Sequence, residues 1–290
     1  MKKLEEKFRN PKQKRKIHRW IRAVIQLFFF LTVPSAFTTA FSGVKYIFTQ
    51  MGAGEKVEFT AFVTVLLVLL LYTFVFGRFF CGFACAFGSL GDAVHGLYMF
   101  VCKKWKKKPV KMPVSWGKKL ELVKYLICFG IALLCFGGVY SKTKGYSPWD
   151  VFSMVQADNF SWTGYGIGIL LLVLILVGMC VQERFFCRFL CPMGAVFGMI
   201  PILPIFSLYR DRENCLRGCS GCTRNCPAHL ELSEGGEKNV TGECFQCQKC
   251  IDSCPKSNVH CGIKKLHGNE IWFTFLKAII LFLFLWSLVS

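Results

Sequence analysis

Five apolar stretches dominate this chain, each about twenty residues long, the length an α-helix needs to cross a hydrocarbon core of about 30 Å. They lie near residues 19–40, 59–79, 119–140, 162–182 and 270–290. A chain built this way has little left to fold in water, in keeping with its mean hydropathy of +0.43 and its 30 Phe. The predicted fold class is an all-α multi-span membrane protein. Residues 1–18 form a basic N-terminus, 19–209 a membrane domain, 210–266 a small polar segment and 267–290 a last span.

Charge gives the orientation. Residues 1–22 carry ten Lys or Arg against two Glu, and Lys103–Lys119 carries eight with no acid, so both flanks are predicted to be cytoplasmic under the positive-inside rule. Loops 41–58 and 141–161 each balance two lysines against two acids and are predicted outside. The polar segment then falls inside and the C-terminus outside. The net charge of +19 is concentrated in the two basic runs, which makes membrane lipid the expected partner and nucleic acid a poor one. Trp20, Trp149, Trp162 and Trp272 suit interfacial belts.

The polar segment holds two cysteine runs: Cys215, Cys219, Cys222, Cys226-Pro227 and Cys244, Cys247, Cys250, Cys254-Pro255. The second matches the C-x2-C-x2-C-x3-C-P spacing of bacterial ferredoxins, where three thiolates hold one [4Fe–4S] cluster and the fourth reaches across to the other. The predicted sets are Cys215, Cys219, Cys222 and Cys254 for one cluster, and Cys244, Cys247, Cys250 and Cys226 for the other. The first run opens with C-x3-C, so Cys215 is its weakest ligand and Cys261 a spare thiol. Structural zinc more often joins two short knuckles across a longer gap. A segment this small and poor in large apolar residues needs metal to staple it. Seventeen cysteines in a chain read as having no cleavable signal peptide point to a reducing compartment.

Gly77-Arg78-Phe79-Phe80-Cys81-Gly82-Phe83-Ala84-Cys85 recurs as Glu183-Arg184-Phe185-Phe186-Cys187-Arg188-Phe189-Leu190-Cys191, and Gly88 matches Gly194. The motifs at 78–88 and 184–194 each follow two predicted crossings, which makes them parallel repeats ending at one cytoplasmic depth. On a helix, residues four apart share a face, so Cys81 with Cys85 and Cys187 with Cys191 are predicted to present paired sulfurs. These four thiols are read as cofactor-binding, with an additional cluster and a redox disulfide as open alternatives; small apolar fillers are the third reading. Arg78 and Arg184 are read either as snorkelling or as charges acting on the thiols. Cys102, Cys128, Cys135 and Cys180 lack supporting spacing, and His95, His229, His260 and His267 stand isolated.

With these residues in view, the chain resembles the membrane-bound polyferredoxins of the NapH/NosR type, which carry two C-x3-C-P membrane motifs beside two [4Fe–4S] motifs. Here the membrane motifs are Cys81/Cys85 and Cys187/Cys191-Pro192, with Ala86 in place of the first proline. The resemblance implies a subunit that relays single electrons between a cytoplasmic or quinol donor and a membrane or extracytoplasmic acceptor. The redox partner subunits in some relatives carry flavin. The alternatives are a membrane thiol or metal reductase, or maturation factor, working through the four membrane cysteines, and an anchor whose clusters serve stability alone.

Overall fold

The computed structural model describes residues 11–110, 112–113, 117, 119–143, 145–156, 164–203, 207–234, 241–261 and 270–289. The first ten residues of the basic N-terminus, Lys111 and Lys118 of the second basic run, Trp162 and His267 lie outside the described residues.

Helix α1, Pro11–Thr32, runs from a basic half into an apolar one, with Ile25 and Phe29 buried. It stops before Pro34, whose ring supplies no amide proton and disfavours helical backbone in the residue ahead of it. The chain resumes as α2, Ala36–Ala53, after a bend of 60°. The apolar stretch predicted at 19–40 is therefore divided between two helices, and α2 occupies most of what was expected as loop 41–58. The apolar helices α3 (Ala61–Phe76), α5 (Val123–Phe136) and α7 (Gly166–Val181) have 16, 14 and 16 residues. At the α-helical rise they are about 21–24 Å long, short of a full hydrocarbon core. Among the described residues, one helix is long and apolar enough to cross alone: α11 (Glu270–Val289), through Ile271–Leu288. A short helix, α6 (Pro148–Gln156), lies inside the stretch expected as loop 141–161.

The two repeated motifs share one local architecture. After α3 the chain makes a π-helical turn, Phe80–Ala84, and enters α4, Ala86–Lys104. After α7 it makes a second π-turn, Phe186–Leu190, and enters α8, Pro192–Met199. The second cysteine of each motif is extended, Cys85 at φ −68°, ψ 123° and Cys191 at φ −72°, ψ 115°. The thiols are thus not stacked on one α-helical face as the four-residue spacing predicted. Pro192 favours this conformation in Cys191, and Cys85 adopts it ahead of Ala86. Phenylalanines fill the space between the turns: Phe87 lies 4.4 Å from Phe186 and 4.1 Å from Phe152.

The polar segment folds around a three-stranded sheet in the order β2-β1-β3. Strand β1 (Leu208–Arg210) pairs in parallel with β2 (Ser233–Glu234) and antiparallel with β3 (Val259–Cys261), placing Leu208 opposite Cys261. Two short helices, α9 (Gly221–Arg224) and α10 (Lys249–Ser253), pack on each other.

This segment docks on both π-turns. Phe245 lies against the first turn so closely that a Cβ on Gly82 would stand 2.5 Å from the Phe245 carbonyl oxygen. The matching position in the second turn is Arg188, which donates to the Pro227 carbonyl at 3.2 Å. Further ties run from α1: His18 is buried, with Nδ1 2.7 Å from Asp252 Oδ1 and Nε2 2.8 Å from Gln248 Oε1, and Arg22 donates to the Cys247 carbonyl at 3.2 Å. Replacing Gly82 by Ala forces backbone against backbone, so Gly82→Ala is expected to lose about 1–3 kcal/mol in thermal unfolding. In α4, a Cβ on Gly96 meets nothing within 4 Å. Gly96→Ala should therefore be neutral or gain up to about 1 kcal/mol.

Candidate metal centre

The second cysteine run closes on itself through a loop with unusual backbone. Gln246 and Gln248 flank Cys247 with φ of 52° and 61°, the left-handed region that side chains other than Gly and Asn seldom enter and that clusters at functional sites. The loop curls around a cavity of about 340 Å³ lined by Cys222, Cys226, Cys244, Cys247 and Cys250. Cys226, Cys244, Cys247 and Cys250, predicted as one set, all line this space, although Cys226 is 18 residues from Cys244 in sequence, and Cys222 of the other predicted set lines it too.

Polar groups at this cavity suit an anionic sulfur-rich guest. The fully buried Gln246 and Gln248 line it, and their side-chain amide nitrogens lack hydrogen-bond partners. Donors of this kind are among the features that stabilise cluster sulfurs and tune their potential. Burial pushes the Cys244 and Cys247 thiols up to about 11. They are therefore protonated near neutrality, and metal binding there displaces protons.

Of the other predicted set, Cys215 and Cys254 meet at Asn258. The Asn258 amide N–H donates to Cys254 Sγ at 3.2 Å and its side-chain nitrogen lies 3.5 Å from Cys215 Sγ. Cys222 accepts from Arg210 at 3.3 Å. Cys261 is buried, with Lys277 Nζ 3.1 Å from its sulfur.

The thiols of the two π-turns also converge. Cys81, Cys85, Cys187 and Cys191 are all buried and within electrostatic reach of one another, Cys85 interacting most strongly with Cys187. Cys85 interacts with both thiols of the other motif as well as with Cys81 of its own. Cys191 Sγ also accepts the Gly194 N–H at 3.2 Å, capping α8. Among the described residues, no three His, Cys, Asp or Glu side chains gather closely enough to hold a single metal ion.

Arg78 and Arg184 do not snorkel; both have 0% exposure. Each guanidinium reaches into the other motif. Arg184 donates to the carbonyls of Cys81 at 2.6 Å and Gly82 at 2.8 Å, and to Asp92 at 2.7 and 3.0 Å. Arg78 pairs with Glu243 at 3.1 Å, and its Nη2 would stand 3.1 Å from a Cβ on Gly194. The matched glycines follow from this packing: a Cβ at Gly88 would meet the Cys81 carbonyl at 2.5 Å, and one at Gly194 the Cys187 carbonyl at 2.9 Å. Burial raises the Asp92 carboxyl, but Arg184 and Lys249 outweigh it and hold Asp92 well below the usual carboxylate range. Burial likewise acts on Glu243 and is overcome by Arg78, Lys124 and Tyr125.

Phe245 joins the two sites. Its ring lies 4.8 Å from the Arg78 guanidinium carbon and 5.6 Å from that of Arg184, within cation–π range. The sequence offered the arginines but no sign of Phe245, Asp92, Glu243 or His18, whose roles arise from contacts 61 to 234 residues apart in sequence.

A family model described as a 4Fe-4S binding domain matches residues 58–109 and 164–203. Those segments contain Cys81, Cys85, Cys187 and Cys191 and end before Cys215. The uncharacterized protein MJ0749 of Methanocaldococcus jannaschii is 30% identical over 203 residues, covering 70% of this chain and 71% of the relative. The ferredoxin-type protein NapH of Haemophilus influenzae is 26% identical, covering 70% of this chain and 69% of its own. The regulatory protein NosR of Pseudomonas aeruginosa is 26% identical, covering 69% of this chain and 29% of its own. No solved structure matches. Together with the paired thiol turns and the ferredoxin spacing, these likenesses show that the chain belongs to the NapH/NosR-type family of ferredoxin-like, [4Fe–4S]-binding membrane proteins.

Proposed function

We propose that this protein is a membrane electron-transfer subunit that relays single electrons through two [4Fe–4S] clusters toward the paired thiol turns. The observation that carries this reading is the cysteine-lined cavity lying directly behind Phe245, which packs between Arg78 and Arg184 over those turns. Cys226, Cys244, Cys247 and Cys250 hold one cluster in this reading, and Cys215, Cys219, Cys222 and Cys254 the other. When bound, such clusters supply one-electron storage, and the protein sets their potential through burial, hydrogen bonds and nearby charge. Gln246 and Gln248 offer donors, Arg184 supplies positive charge beside Cys247, and Phe245 keeps water from the contact between the sites.

The bent pair α1–α2, the helices α3, α5 and α7, and α11 lie in the bilayer in this proposal, the two motifs being parallel repeats. Large apolar side chains facing outward on them support it: Leu71, Leu126, Phe129, Leu170, Val177 and Leu283 are each more than half exposed, a surface that water does not favour on this scale. The basic runs and the 210–266 segment face the cytoplasm, with inner-leaflet lipid against the Lys/Arg clusters. The donor is a cytoplasmic reductant or a quinol, and the acceptor a redox partner in the membrane or beyond it. NapH and NosR by name are ferredoxin-type and regulatory proteins, consistent with a component rather than a complete enzyme.

Anaerobically purified protein should contain about eight irons with matching sulfide for these two clusters; stoichiometric zinc with negligible iron refutes the reading. In intact cells, a membrane-impermeant thiol reagent should label a cysteine reporter at position 145 and spare one at 105, both in a background stripped of other reactive cysteines. The reverse pattern inverts the orientation.

A further inference from the structure

We propose that His18 is a positioning residue for the cluster of Cys226, Cys244, Cys247 and Cys250: it holds the Gln248 side chain so that its amide N–H groups face the cluster sulfurs and raise the potential of that centre. The inference rests on the relay reading, which supplies the cluster, and assigns the first helix a part in tuning it.

Gln248 stands at φ 61°, a conformation for which Gly or Asn is the ordinary choice. Glycine would meet the needs of the turn alone, so a long amide side chain at this place points to a task for the amide. That side chain is fully buried and lines the cysteine cavity, and its Nε2 has no hydrogen-bond partner among the described residues. Its oxygen, by contrast, is held twice: His18 Nε2 lies 2.8 Å from Oε1, and the Thr274 hydroxyl of α11 donates to the same atom at 2.8 Å. Gln246, on the other side of Cys247, is also buried and lines the cavity, yet neither its Oε1 nor its Nε2 has a partner among the described residues. Of the two amides, that of Gln248 is the one whose orientation is fixed from behind.

His18 is fixed in turn. It is 3% exposed, and its Nδ1 lies 2.7 Å from Asp252 Oδ1, a carboxylate whose other oxygen accepts from Arg22 at 3.2 Å. Both ring nitrogens face oxygens, and an imidazolium donating at both ends suits the site. A donor on Nε2 makes Oε1 the atom that Gln248 turns toward His18 and sends the amide nitrogen the other way, into the cavity. The opposite orientation would set a bare oxygen against thiolates and sulfide, all of them acceptors. Hydrogen bonds to cluster sulfur favour the more negative, reduced state, so losing the donor lowers the potential. A residue that only orients the donor acts on the potential through it, as outer partners do in other metal sites.

Redox titration followed by EPR on the full-length, anaerobically purified protein tests this. Gln248→Met should shift the midpoint potential of one ferredoxin signal to more negative values and leave the other nearly unmoved. His18→Phe should shift the same signal in the same direction with iron and sulfide content unchanged, and His18→Gln, whose amide can replace the Nε2–H, should recover part of the shift. The double variant His18→Phe/Gln248→Met should match Gln248→Met alone, since a residue acting through another adds nothing once that other is gone. Thr274→Val changes no charge and removes the second donor to Oε1; it should give a smaller negative shift of the same signal, abolished in the Gln248→Met background, and keeps the test open if His18→Phe does not fold. Additive shifts, or equal shifts of both signals, overturn the proposal and reduce His18 to a docking contact. Unmoved potentials in His18→Phe and Thr274→Val overturn it too, with the relay reading left standing. Zinc in place of iron in the unsubstituted protein defeats the relay reading, and this inference falls with it.

Discussion

The buried guanidinium of Arg184 is the contact on which the rest of the arrangement depends. It binds two carbonyls of the first π-turn, a carboxylate of α4 and the face of Phe245, and so fastens the first motif, the second motif and the polar segment at one point. Removing one partner from a buried ion pair of this kind typically costs about 3–5 kcal/mol because the other charge remains desolvated. Asp92 is supported in turn by Gln26 from α1 and Lys249 from α10, which ties two further elements to the same node. Arg78 makes the corresponding knot on the other side, through Glu243, Lys124 and Tyr125.

This arrangement makes the two halves similar but not interchangeable. At the position where the first motif has Gly82, the second has Arg188, and each answers a different part of the polar segment. Gly82 admits the backbone of the Phe245 turn, whereas Arg188 bridges Glu121 and the carbonyl of Pro227, next to Cys226. Cys226 and the Cys244–Cys250 loop therefore sit astride both motifs. Apolar packing alone could not impose this registration, since one phenylalanine contact substitutes readily for another; directional hydrogen bonds to carbonyls do impose it.

The closeness of the two thiol systems has a physical consequence. Charge added to either one is felt by the same two guanidinium groups in a low-dielectric interior, where screening is weak. Arg184 lies in electrostatic reach of both Cys247 and Cys187. In the proposed relay these shared cations would couple redox changes at the two sites electrostatically.

Much of this was legible in the amino-acid order. Thiol chemistry needs particular residues at particular spacings, so the cysteine runs and the duplicated Arg-Phe-Phe-Cys motifs could be read directly, whereas which cysteines face one cavity, Cys222 and Cys226 beside Cys244, Cys247 and Cys250, is a matter of folding. Apolar length placed helices near the right segments but not their breaks: Pro34 divides the first stretch, and the π-turns carry Cys85 and Cys191 out of the helices that four-residue spacing suggested. Tertiary structure alone decided that Arg78 and Arg184 are buried rather than snorkelling, that each reaches across to the other motif, and that Phe245 fills the space between them. The reason is range. Spacing within a motif is set by bonds along the chain, while the partners Asp92, Glu243, Phe245 and His18 are brought in by packing between elements far apart in sequence, which no local pattern records.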